Sequence, residues 1–64
     1  MSRVYFVTYR WYDTDTFCTN LCIADSEEAV RKCFADSEIL AVRLVANDSE
    51  YQEAKRKGMP EIRA

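Results

Sequence analysis

The sequence has no histidine, and only one glycine and one proline in 64 residues. Without His, a Ser or Cys nucleophile has no ordinary base, and the commonest metal-binding side chain is missing. With Gly58 the only glycine, no Gly-rich loop can cradle a phosphate. So little Gly and Pro in an otherwise ordinary apolar composition also argues against a disordered chain. No apolar run approaches the ~20 residues of a membrane span, and the N-terminus lacks the apolar core of a signal peptide. Cys18, Cys22 and Cys33 are an odd set, which makes a poor disulfide framework. Together these absences predict a cytoplasmic, non-enzymatic chain with reduced thiols, no cofactor and no metal.

The closest approach to a metal site fails on spacing as well. Structural zinc sites want about four ligands, usually in close C-x2-C pairs, and here Cys18 and Cys22 form a looser C-x3-C. On a strand they would lie roughly 13 Å apart along one face. Cys33 falls on a helix expected to cover the other face. All three are therefore expected to be small buried hydrophobes. Asp13 and Asp15 lack the Gly and the distal Glu of a calcium loop, and read as turn residues bonding their own backbone.

What the chain does have is Val4-Tyr5-Phe6-Val7-Thr8-Tyr9-Arg10-Trp11-Tyr12, where five of nine residues are aromatic and two are Val. Such side chains suit a pleated strand. A strand over 3–12, the turn Asp13-Thr14-Asp15 and a second alternating strand over 16–24 read as a hairpin. A short turn would set Trp11 opposite Phe17, Tyr9 opposite Thr19, Val7 opposite Leu21 and Tyr5 opposite Ile23, which gathers the larger apolar side chains on one face. Asp25-Ser26-Glu27-Glu28 opens a helix over 26–35, with Asp25 as the cap and Ala29, Val30, Cys33 and Phe34 as its apolar stripe. A third strand covers 39–46, with Leu40, Val42 and Leu44 as its stronger face. A short helix over 49–57 follows, with Ser49 and Gln52 spaced as a capping box and Gly58 placed to end it.

The order β-β-α-β-α gives one small α+β domain spanning 1–64. It predicts a three-stranded antiparallel sheet, order 2-1-3, with one helix packed on a face and a short C-terminal helix. The expected core is Tyr5, Val7, Tyr9, Trp11, Phe17, Leu21, Ile23, Val30, Phe34, Leu40, Val42 and Leu44. The opposite face, with Phe6, Arg10, Tyr12 and Arg43, is too apolar to stand wholly in water. A second subunit on that face or on an exposed edge (strand two or three), or the C-terminal segment carrying Tyr51, Met59 and Ile62, is expected to cover it. A 64-residue domain has a marginal core and commonly leans on such a partner.

Charge supplies the functional expectation. Net charge is −2, but residues 13–53 carry −7 and residues 54–64 carry +3. Asp13, Asp15, Glu27, Glu28, Glu50 and Glu53 can present a negative surface to a basic partner protein, such as a nuclease, and steer its association. The alternative is a small nucleic-acid-binding or homodimeric regulatory protein. There Phe6 and Tyr12 on the open sheet face would stack bases, with Arg10 and Arg43 meeting phosphate. The acidic middle of the chain makes nucleic acid the weaker expectation. In size, acidity, compact α+β make-up and lack of catalytic residues, all 64 residues resemble the small accessory proteins of phages and mobile elements. Anti-CRISPR inhibitors are the best-known of these. That resemblance implies an inhibitor or regulator that occupies a basic, nucleic-acid-binding surface of its partner, and assigns no role to any single residue.

Overall fold

A computed structural model describes residues 2–64. Its elements run β1 (Arg3–Trp11), β2 (Phe17–Ala24), α1 (Glu27–Cys33), β3 (Ser37–Leu44), α2 (Asp48–Arg56) and β4 (Glu61–Arg63). The expected hairpin, crossover helix, third strand and short second helix all form, within two residues of the expected bounds. The sheet, however, has four strands in the order β3-β1-β2-β4. The antiparallel core of the sheet is as read, but β4 adds a parallel partner to β2 and makes the sheet mixed. Three residues are too few to show a strand period, which is why β4 escapes a pattern reading.

The two helices lie on opposite faces, for a reason of handedness. The α1 connection runs across the sheet from β2 to β3, and the α2 connection runs back from β3 to β4. Crossovers of one hand that travel in opposite directions must use opposite faces. Burial agrees: Val30 and Phe34 of α1 are buried with Tyr5, Val7, Tyr9, Cys22 and Ala24. On the other face, Ala54 of α2 is buried, and Glu50, Glu53, Ala54 and Met59 line a groove with Phe6.

Register departs from expectation by one residue. Tyr5 faces Cys22, Val7 faces Asn20 and Tyr9 faces Cys18. Cys18, Cys22 and Ala24 thus lie under α1, while Phe17, Leu21 and Ile23 point to the other face. Register is sharply specified when a strand has one buried face, but Leu21 and Cys22 are both fully buried. With both faces of β2 covered, small side chains can meet the helix and large ones can meet α2 and the C-terminal segment. Packing the largest residues on one side was therefore the wrong criterion.

A bulge in β3 makes the second departure. Thr8 pairs with Ala41, but Tyr9 pairs with Ile39, so Leu40 is an extra residue. Ile39 consequently joins Val42 against the α1-side core, and Leu40 is left 47% exposed. Leu44, Trp11 and Phe17 were also expected in the core and are exposed instead, while Ile23 and Val42 are half-buried. Length explains Trp11, while the register puts Phe17 on the opposite face, away from α1. A nine-residue strand spans about 30 Å, whereas a seven-residue helix spans about 10 Å, so the hairpin outruns the helix laid on it. Ala24, Ser37 and Ala54 are buried without having been expected in the core; of the three cysteines expected to be buried, Cys22 is, Cys18 is half-buried and Cys33, at the end of α1, is exposed.

The helix caps obey local chemistry, with two corrections. Ser26, not Asp25, caps α1 by accepting from the Ala29 N–H at 3.1 Å. Asn47, not Ser49, caps α2 by accepting from the Glu50 N–H at 2.9 Å. At the other end of α2, Met59 N–H donates to Ala54 O and Gly58 N–H to Lys55 O. This is a Schellman closure with Gly58 at φ +83°. It turns the chain so that Pro60 O accepts from Leu21 N–H and β4 can join β2.

Candidate partner-binding surface

The acids singled out for a partner fall into two groups. Glu27 and Glu28 lie in the first turn of α1, where Glu27 meets Arg31 at 3.2 Å and Glu28 meets Lys32 at 3.5 Å. On α2, Glu53 meets Lys57 at 3.4 Å. Glu50 accepts from the Ala46 N–H at 2.9 Å and from Arg43 at 3.1 Å. The Ala46 hydrogen bond, then Arg43, holds the Glu50 carboxyl below the usual carboxylate range. These four acids thus sit beside bases of the same chain. Such surface pairs contribute little to stability, but they cancel much of the field a partner would feel.

The turn acids differ. Asp13 has no ion pair among the described residues. Asp15 projects fully into water, 3.8 Å from Arg10. Around them stand three exposed aromatics: Trp11 at 47%, Tyr12 at 66% and Phe17 at 62% exposure. Trp11 shares the face of Tyr9, whose ring it meets edge-on at 5.8 Å. Phe17 is paired with Arg10 on the opposite face. The hairpin therefore ends in a knob with an aromatic surface on both sides and carboxylates at its tip. Trp11 N–H, Tyr12 O–H and the two Asp side chains can all bond a partner there. The signal for this knob in the sequence is that aromatics continue to the last residues of β1 and resume at Phe17, the first residue of β2.

The open-face residues are brought together only in part. Phe6 is half-buried beside α2, with the Arg43 guanidinium over its ring at 4.8 Å. Arg43 is in turn paired with Glu50. Arg10 donates twice to one carboxylate oxygen of Glu38 and, at 3.1 Å, to the Thr14 carbonyl. That last bond braces the turn carrying Asp13 and Asp15. Tyr12 lies beyond the paired strand. The stacking platform that Phe6, Tyr12, Arg10 and Arg43 would have formed is divided: Phe6 and Arg43 beside α2, Arg10 and Tyr12 at the hairpin end. Of the C-terminal segment, α2 and Met59 lie over part of this face, beside Phe6. Within the segment, the Tyr51 hydroxyl donates to Glu61, which also meets Lys55 at 3.7 Å, and the bond to Glu61 pushes the Tyr51 phenol up. Ile62, expected on this same face, packs instead against the α1-side core, opposite Cys22.

Two open grooves stand out among the described residues. The larger, about 450 Å³, lies between the start of β1, the end of β3 and the start of α2, and includes Arg3, Leu44, Asn47 and Tyr51. The smaller, about 230 Å³, runs between Phe6 and α2. Neither gathers a nucleophile with a base. Among the described residues no three His, Cys, Asp or Glu side chains converge as a metal site, and no helix is long and apolar enough to cross a membrane. Comparison with family models, curated proteins and solved structures found no match to the chain.

Proposed function

We propose that this chain is a non-enzymatic protein-binding module of the phage or mobile-element type, an inhibitor or regulator that docks on a basic surface of a partner such as a nuclease. The observation that carries the reading is the hairpin end, where Asp13 has no ion pair among the described residues and fully exposed Asp15 meets only Arg10, at 3.8 Å, beside exposed Trp11, Tyr12 and Phe17. Trp and Tyr are the side chains most often found at the energetic centre of protein interfaces. Carboxylates beside them add steering toward a cationic cleft, an effect that salt weakens. Glu27, Glu28, Glu50 and Glu53 would then lend general negative potential rather than direct contacts.

The test is capture from a lysate of the source cell, with and without nuclease treatment, using wild type, D13K/D15K, Y12A/F17A and E27K/E28K. The expected result is a basic protein that survives nuclease treatment, is lost with either hairpin variant and is retained by E27K/E28K. Capture that needs nucleic acid and is lost with R10E/R43E would overturn the reading in favour of nucleic-acid binding.

A second reading, a homodimeric regulator, is favoured by one observation. With β4 closing the β2 side, β3 is the long open edge of the sheet, and Leu40 and Leu44 on it are each 47% exposed. Light scattering at micromolar concentration separates the two: a dimer abolished by L44E supports this second reading, and a monomer near 7.5 kDa removes it.

A further inference from the structure

The register of the hairpin turns Cys22 toward α1, the helix that ends in Cys33. Cys22 is fully buried in the centre of β2, on the face covered by α1. Cys33 ends α1 and is exposed. It sits three residues after Val30 and one before Phe34, and both of those side chains are buried in the same cluster as Cys22. The side chains that β2 and α1 bring to this cluster include small ones, Cys22 and Ala24 from β2 and Ala29 from α1. Burial pushes the Cys22 thiol up, and the neighbouring Cys33 pushes it further. Cys18, the third thiol, lies four residues along the strand beside Tyr9.

We infer that Cys33 and Cys22 are an attacking and a resolving thiol that close into a reversible disulfide, locking α1 onto β2 under oxidising conditions. The oxidant is a low-molecular-weight disulfide such as oxidised glutathione. Cys33, as thiolate, attacks one sulfur of that disulfide; a mixed disulfide forms and one glutathione thiolate leaves. Cys22 then gives its proton to water and attacks the Cys33 sulfur, forming the Cys22–Cys33 bond and expelling the second glutathione. Two protein thiols are oxidised and one glutathione disulfide is reduced to two thiols, so the electrons balance. Burial keeps Cys22 from reacting first, and a two-turn helix can open locally to let it resolve the intermediate. The product is a staple in a domain small enough to need one. This inference is independent of the hairpin knob.

The test uses the full chain across a series of glutathione buffers from fully reduced to fully oxidised, quenched by alkylation and mapped by mass spectrometry without reduction. Oxidised protein should lose the mass of two hydrogens and yield a linked pair of tryptic peptides, residues 11–31 and 33–43, with fragmentation placing the bond at Cys22. C18S should still cross-link, whereas C22A should stop at a stable Cys33–glutathione adduct. Oxidation should raise the thermal midpoint by about 10 °C or more, and dithiothreitol should reverse the rise. Cys22 and Cys33 remaining alkylatable throughout the series, a bond placed at Cys18, or a lower midpoint in the cross-linked form would each overturn the inference.

Discussion

The two faces of the sheet are held by different forces. Under α1, Tyr5, Val7, Tyr9, Cys22, Val30 and Phe34 form a buried cluster, with the Tyr9 and Phe34 rings 4.8 Å apart. Under α2, Leu21 and Ala54 are the buried apolar residues, and much of the contact is polar: Arg43 with Glu50, Tyr51 and Lys55 with Glu61. Stability should therefore come chiefly from the α1 side, where apolar area leaves water. The α2 side closes the other face through caps and ion pairs that contribute less. The lesson is that both faces count as covered, but only one resembles a core.

The sharpest way to break that contrast is Phe34→Ala. Removing this ring should cost about 3–5 kcal/mol, a large part of the roughly 3–10 kcal/mol expected for a domain of this length. The urea midpoint measures it, and a loss under 1 kcal/mol would place the core elsewhere. Trp11→Ala, on the same face but beyond the helix, should cost only about 1–2 kcal/mol. Half the side chain is already in water, and its main partner is the edge-on contact with Tyr9. A loss equal to that of Phe34→Ala would extend the core to the hairpin end and weaken the knob as a docking surface.

The smallest effect belongs to the α2 side. The carboxyl of Glu50 has a lower pKa in the folded chain than in the unfolded one. Its stabilising contribution is therefore complete above about pH 4.3, the ordinary glutamate value, and is lost as pH falls through the folded value. Urea midpoints between pH 6 and 3 should fall more steeply for wild type than for Glu50→Gln. Parallel curves would show that the Arg43 and Ala46 bonds to Glu50 stabilise nothing.

Much of this architecture could be read from local chemistry. The aromatic run of β1, the acidic start of each helix and Gly58 at a helix end locate the elements, because strand period, capping and left-handed backbone are properties of a few neighbouring residues. Asp13 and Asp15 were legible as a turn for the same reason. The knob was not: that Trp11 escapes burial depends on how far α1 reaches along the hairpin, and that Phe17 lies on the other face depends on the register, both relations between elements. The same holds for the ion pairs that occupy Glu50 and Arg43, seven residues apart in the chain and on different elements.

The sequence by itself determined the element order, the acidic middle of the chain and the lack of a His-based or phosphate-cradling site. Tertiary structure decided the register of β2, the bulge at Leu40 and the fourth strand. The physical reason is that β2 offers usable side chains to both faces, so hydrophobicity alone leaves its register open. The choice falls to whichever packing satisfies α1, α2 and β4 together, and that packing puts Cys22 beneath α1 and Leu21 on the opposite side.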